Sequence, residues 1–150
     1  MKLVVQRVER AKVSVDGIVH GEIKKGFLVL LGVGHGDLAE NADFLVKKLC
    51  NLRVFEDENE KMNLSIKDIG GELLIISQFT LYADTKKGNR PSFVNAAPPE
   101  QAEKLYKYFM EECRKENINV EHGVFGAHMK LDFVNDGPVT IILKKENTEI

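Results

Sequence analysis

Cysteine is scarce in this chain: Cys50 and Cys113 are the only two, and both fall at apolar positions of expected helices. A disulfide-built scaffold is excluded, and buried free thiols are the simpler reading. The cysteines and the four histidines, His20, His35, His122 and His128, show no zinc-binding spacing, so neither metal nor cofactor is expected. Long apolar runs are also missing. The longest, Phe27 to Val33, contains a glycine and is far too short to span a membrane. The opening residues, Met1 to Arg7, turn polar too early for a signal peptide, and the expected compartment is the cytoplasm. There is no basic excess. The net charge of −2 argues against a general nucleic-acid coat protein, although a local basic patch stays open because the field near a site depends on where its charges lie.

Two motifs fail where they could have stood. Gly32 and Gly34 follow an expected strand and precede an expected helix, but Asp37 stands where a dinucleotide fingerprint needs its third glycine. The Gly-Lys-Ser/Thr of a P-loop is absent as well. Asp37, with Glu40 three residues on, reads better as a helix N-cap. Around Ser77 there is no Gly-x-Ser-x-Gly elbow, and no histidine adjoins Ser77 or Thr80 in sequence.

What the chain does have is an ordinary globular composition. Its 150 residues are 43% hydrophobic and 29% charged, and no linker or internal repeat is visible, so one domain over 1–150 is expected. Such a length buries about 70% of the unfolded surface without staples. Residues 2–8 alternate as a strand. Val13-Ser14-Val15 and Ile18-Val19 flank Asp16-Gly17, a two-residue hairpin signal. Phe27 to Val33 reads as a central strand. Ala42, Leu45, Val46, Leu49 and Leu52 give one helix its apolar stripe, and Ala102, Leu105, Tyr106, Phe109 and Cys113 give another, opened by Pro98-Pro99. The fold class is α+β: a mostly antiparallel sheet curling toward a barrel and covered by two helices.

Two stretches stand out as carriers of chemistry. Leu73 to Ile76 reads as a strand buried on both faces, and it runs into Ser77-Gln78-Phe79-Thr80-Leu81 without a charge. Its hydroxyls and amide must be hydrogen-bonded or face a pocket. The second stretch is Asn135-Asp136-Gly137-Pro138-Val139-Thr140, a Gly-Pro turn between two apolar runs, for which a plain hairpin turn is a sufficient local account. Between them lies a long irregular segment holding Lys86, Lys87 and Arg90, which either meets phosphates or is a solvated loop.

Together these residues resemble the D-aminoacyl-tRNA deacylases. Ser77 to Leu81 and Asn135 to Thr140 are similar to that family's two signature motifs, and Gln6-Arg7-Val8, Lys61 to Leu64, Arg90 to Phe93 and Phe125 to Met129 extend the likeness across almost the whole chain. The resemblance implies an enzyme that hydrolyses the ester of a D-amino acid on the 3′ end of tRNA and leaves L-aminoacyl-tRNA intact. It implies a homodimer with sites at the subunit interface. In it, a cis Gly137-Pro138 pair from the partner subunit acts as a chiral gate beside Ser77, Gln78, Phe79 and Thr80. Arg7 would hold the gate, Phe125 and Met129 would line the pocket, and Lys86, Lys87 and Arg90 would contact tRNA. Backbone N–H groups around Phe79 and Thr80 are oxyanion donors in this reading. The tRNA 2′-hydroxyl assists the water, and a Thr80 nucleophile is the alternative. Glycine has no side chain for the gate to stop, so glycyl-tRNA is an expected second substrate. Two readings compete: a non-catalytic tRNA-binding module on the same fold, and a small-molecule esterase using Ser77 or Thr80.

Overall fold

The structure is a computed structural model that describes residues 1–147. Its frame is β1 (Lys2–Val15), whose side chains alternate between buried and partly buried along most of its length. One edge of β1 pairs with β8 (Lys130–Lys144) from end to end. The other edge is shared: Lys2 to Val8 pair with β3 (Gly26–Gly32), and Ala11 to Val15 pair with β2 (Ile18–Ile23). The register against β8 slips near Val8 and Arg10, and bulges of this kind bend a strand and raise its twist. Residues 2–8 and Val13 to Val15 therefore belong to one long bent strand, which turns into β2 through Asp16-Gly17 as the hairpin signal predicts.

From β3 the sheet continues through β6 (Glu72–Ser77) to β7 (Asn119–His122), and β2 closes toward β7, with Gly21 lying on the backbone of His122. The α+β barrel-like architecture is the one expected, but the sheet is mixed. β1 pairs antiparallel with β2, β3 and β8, whereas β3–β6 and β6–β7 are parallel. Parallel neighbours need a crossover. The two helices supply it: α1 (Ala39–Asn51) lies between β3 and β6 in sequence, and α2 (Pro99–Lys115) between β6 and β7. A small ribbon of β4 (Phe55–Glu56) and β5 (Met62–Leu64) sits within the first crossover.

The period of two along β3 and β6 divides one apolar run between two cores. Phe27, Val29, Leu31, Leu73 and Ile75 pack under the helices with Leu45, Leu49, Leu105 and Phe109. Leu28, Leu74 and Ile76 face the other way, into the barrel, with Val8, Val13 and Ile23. Burial on both faces is why these strands read as unbroken hydrophobic stretches. Each such side chain contributes about 1.5–3 kcal/mol relative to exposure. Cys50 and Cys113 are free thiols fully buried in the helix-covered core.

Two local expectations are corrected. Asp37 does not cap α1; Leu38 occupies that position, and Asn41 Oδ1 accepts the Leu38 N–H at 2.9 Å. The Asp37 carboxylate is buried instead, accepting from the Met1 ammonium and from the Gly34 N–H, each at 2.6 Å. Asn135 to Thr140 is not a hairpin turn either. Both flanks pair with the same neighbour, β1, so Asp136 to Val139 form a bulge in one strand, opposite Arg7.

Candidate active site

β6 ends at Ser77, where Leu31 of β3 is its partner, and the Gln78 N–H donates to the Leu31 carbonyl at 2.8 Å. The chain then folds into a single 3-10 turn, Phe79–Tyr82. That turn is seated by a close approach. An added Cβ on Gly34 would lie 2.8 Å from the Tyr82 ring, so only glycine lets the ring settle there. The Lys2 ammonium covers the ring, 4.6 Å from its centroid. Burial pushes the Tyr82 phenol above its ordinary range. Because the turn is the first of its helix, the N–H groups of Phe79 and Thr80 have no intrahelical acceptor. Among the described residues they donate to no backbone or side-chain oxygen.

Beside this turn opens a cavity of about 780 Å³. Ile76, Ser77, Gln78 and Phe79 form one wall, Phe93, Val94 and Ala96 to Pro99 a second, and Phe125 to Met129 with Leu131 a third. Phe79 meets Phe93 edge to face, with centroids 5.0 Å apart. Phe125 is backed by Tyr106 of α2, whose centroid is 5.9 Å away and whose hydroxyl donates to the Ile75 carbonyl at 3.0 Å. This ties the third wall to β6. The lining is mostly apolar, with Ser77, Gln78, His35 and His128 as the polar side chains reaching it. Such a mixture suits a small organic group held by shape and oriented by a few polar contacts.

Ser77, Gln78, Phe79, Phe125 and Met129 thus share one cavity, while Thr80 stands exposed next to it. The Thr80 hydroxyl accepts a hydrogen bond from the Gln78 amide, and among the described residues no histidine, lysine or carboxylate bonds to either the Ser77 or the Thr80 hydroxyl. Nor does any group of three His, Cys, Asp or Glu side chains stand placed to hold a metal ion.

Gly137 and Pro138 are exposed and do not line this cavity. Their bulge lies opposite Arg7, which pairs with Phe27, whereas Ser77 pairs with Leu31, four residues further along β3. That separation is roughly 13 Å along the strand. The Gly137–Pro138 peptide bond is cis. Arg7 is 5% exposed; its Nε donates to the Asp136 carbonyl at 3.0 Å and its Nη1 to the Val54 carbonyl at 2.7 Å. Lys86, Lys87 and Arg90 are exposed on a loop pinned at its base by the Asp84–Ser92 bridge, just before Phe93 enters the cavity wall.

His35, His128, Val94 and the Ala96-Ala97-Pro98 stretch also line the cavity and were not picked out as pocket residues from sequence. They come from separate loops, and the available signal was indirect: the glycine-rich turn after β3 and the irregular segment before α2.

A solved structure called "Structural Analysis of a probable eukaryotic D-amino acid tRNA deacylase" shares this fold at 17% identity, with a TM-score of 0.82 over 96% of this chain and 98% of that one. Another, called "c-Myc DNA Unwinding Element Binding Protein", matches at 45% identity and a TM-score of 0.92, covering 98% of this chain and all of that one, 100%. The fold is thus that of a two-helix, barrel-like α+β class.

Residues 4–144 match the family model for D-Tyr-tRNA(Tyr) deacylase, and the chain belongs to that family. Proteins named D-aminoacyl-tRNA deacylase are 57% identical over 95% of this chain and 96% of theirs in Thermosipho africanus, and 55% identical over 100% and 99% in Fusobacterium nucleatum. Among the described residues, no helix is long and apolar enough to cross a membrane.

Proposed function

We propose that this chain, acting as one domain, hydrolyses the ester linking a D-amino acid to the 3′-terminal ribose of tRNA, releasing amino acid and free tRNA. The observation that carries this reading is the apolar cavity set directly against the Phe79–Tyr82 turn, whose first two N–H groups are unspent. Ester hydrolysis develops negative charge on the carbonyl oxygen, and fixed N–H dipoles at that point are an effective way to stabilise it. The Phe79 and Thr80 N–H groups take that role. The aminoacyl side chain lies against Phe125 and Met129.

No side-chain base is bonded to Ser77 or Thr80. An unactivated hydroxyl is a poor nucleophile at neutral pH. Water assisted by the 2′-hydroxyl of the terminal ribose therefore accounts for the reaction better than a Thr80 nucleophile.

Chiral selection comes from Gly137 and Pro138 of a second copy. The exposed bulge, too far along the barrel to serve its own cavity, and the outer edge of β8, which has no strand partner among the described residues, support a homodimer. A rigid backbone wall rejects an L side chain by clash. Glycyl-tRNA passes such a wall and is a second substrate. Lys86, Lys87 and Arg90 sit on the loop leading into the cavity wall and contact the tRNA backbone. The compartment of these aminoacyl-tRNAs, the cytoplasm, is where the protein works.

The deciding experiment is release of tyrosine from D-Tyr-tRNA and L-Tyr-tRNA by the purified protein. Rapid release from the D ester with the L ester intact is expected. Equal release from both would overturn the chiral reading. A 45%-identical structure named for DNA binding favours one alternative, a nucleic-acid-binding module without turnover. Folded protein that binds tRNA and releases nothing would select that alternative.

A further inference from the structure

Outside the cavity, one surface combines an exposed aromatic ring with cations that form no ion pair among the described residues. Phe44 on α1 is 45% exposed. The Lys48 ammonium stands 5.8 Å from its ring centroid and the Lys145 ammonium 5.1 Å. Lys145 is held in place where the chain leaves β8, its N–H donating to the Met1 carbonyl and its carbonyl accepting from Asn41 Nδ2, each at 3.0 Å. A shallow groove runs from Phe44 past Lys47, Lys48, Asn51 and Leu52 to Arg53, and no acid lines it. Arg53 is exposed and is anchored through Nε to the Asn63 carbonyl at 2.9 Å.

The contrast with α2 is informative. There Lys107, Arg114 and Lys115 each pair with a glutamate on the same helix. Among the described residues, Lys47, Lys48, Arg53 and Lys145 form no ion pair, although the whole chain carries a net charge of −2. A ring flanked by cations suits the backbone of double-stranded RNA, with the ring packing on ribose and the cations on phosphates.

We propose that the Phe44–Lys47–Lys48–Arg53–Lys145 surface is a second RNA-contact site, which binds the duplex stem of the substrate tRNA while the cavity takes its 3′ end. The proposal rests on the deacylase reading for the identity of the RNA. His35, on the loop that leads into α1, lines the cavity. Lys48 lies nine residues beyond the helix start at Ala39, about 14 Å along the axis, a span matched by a few base pairs of stem.

The test compares the full chain with the triple variant Lys47→Ala/Lys48→Ala/Arg53→Ala and with Phe44→Ala. Binding of uncharged tRNA is measured across a salt series, and turnover is measured on D-Tyr-tRNA and on D-tyrosyl-adenosine. The triple variant should bind tRNA about tenfold more weakly at moderate salt, with a log–log salt slope shallower by roughly 2–3. Its KM for D-Tyr-tRNA should rise while kcat and the hydrolysis of D-tyrosyl-adenosine hold. Phe44→Ala should weaken binding and leave the slope alone. Unchanged tRNA affinity and slope would overturn the proposal, as would equal loss on both substrates. A change in oligomeric state at constant RNA affinity would overturn it too, by making this face a contact between copies. If the parent protein hydrolyses neither substrate, the deacylase reading fails, while the binding series still decides whether the surface takes RNA.

Discussion

Arg7 holds Asp136 from across the sheet: its Nε donates to the Asp136 carbonyl at 3.0 Å, on the residue before Gly137. The same guanidinium donates to the Val54 carbonyl and lies 3.8 Å from the Glu56 carboxylate. One nearly buried side chain therefore ties the β8 bulge to the β4 segment. Arg7→Ala leaves two carbonyls short of a donor, which should cost about 1–3 kcal/mol in chemical unfolding. It should also loosen the bulge. The D-to-L ratio of release rates should fall, and an unchanged ratio would separate Arg7 from selection. Arg7→Lys should restore charge without the fork and recover little of either.

Gly137 has no room for a side chain. Its φ is +130°, and an added Cβ would meet the Val139 N–H at 2.9 Å and Arg7 Nη2 at 3.2 Å. Gly137→Ala should displace both the bulge and Arg7. Its expected signature is a rise in release from L-Tyr-tRNA relative to D-Tyr-tRNA over the parent protein, read in the same release assay.

Gly34 and Tyr82 form a coupled pair, since a Cβ at 34 would sit 2.8 Å from the ring. Gly34→Ala should destabilise by about 1–3 kcal/mol and slow turnover, because the ring it displaces belongs to the turn that starts at Phe79. Tyr82→Leu should relieve part of that penalty. A double-mutant cycle on unfolding free energy with no interaction between the two sites would contradict the packing account.

Thr80→Ala removes a hydroxyl whose partner is the Gln78 amide and keeps the backbone N–H. Turnover on D-Tyr-tRNA should stay within about tenfold of the parent, the range of one lost neutral hydrogen bond. Substrate ending in 2′-deoxyadenosine should instead react far more slowly. The opposite pattern would make Thr80 the nucleophile.

Phe93→Ala opens the cavity mouth where Phe93 meets Phe79. An edge-to-face pair contributes about 0.5–1.5 kcal/mol beyond its area, so KM should rise several-fold with little change in kcat. Loss of kcat alone would place Phe93 in the chemistry instead of in binding.

Much of the fold could be read from local pattern. The alternation of residues 2–8, the Asp16-Gly17 turn, the two helical stripes and the doubly buried runs at Phe27 and Leu73 all correspond to elements of the structure. These features depend on periods of two and 3.6 and on turn chemistry, which neighbouring residues set. The parallel pairings β3–β6 and β6–β7 could not be read that way, because strand order depends on where a helix carries the chain. Asp37 misleads for a related reason. An acid before a helix looks like a cap until the fold brings the Met1 ammonium to it.

The sequence by itself determined the central strands, both helices, the family likeness and the two motifs, since short-range chemistry and motif spacing are written along the chain. Only the tertiary structure decided that Asp136 to Val139 is a bulge on one strand instead of a turn between two, because both flanks pair with β1. Only it gathered His35, Phe93, Phe125 and Met129 around Ser77. Residues on four separate segments share a cavity when the sheet curls, and curling is a property of the whole set of strands.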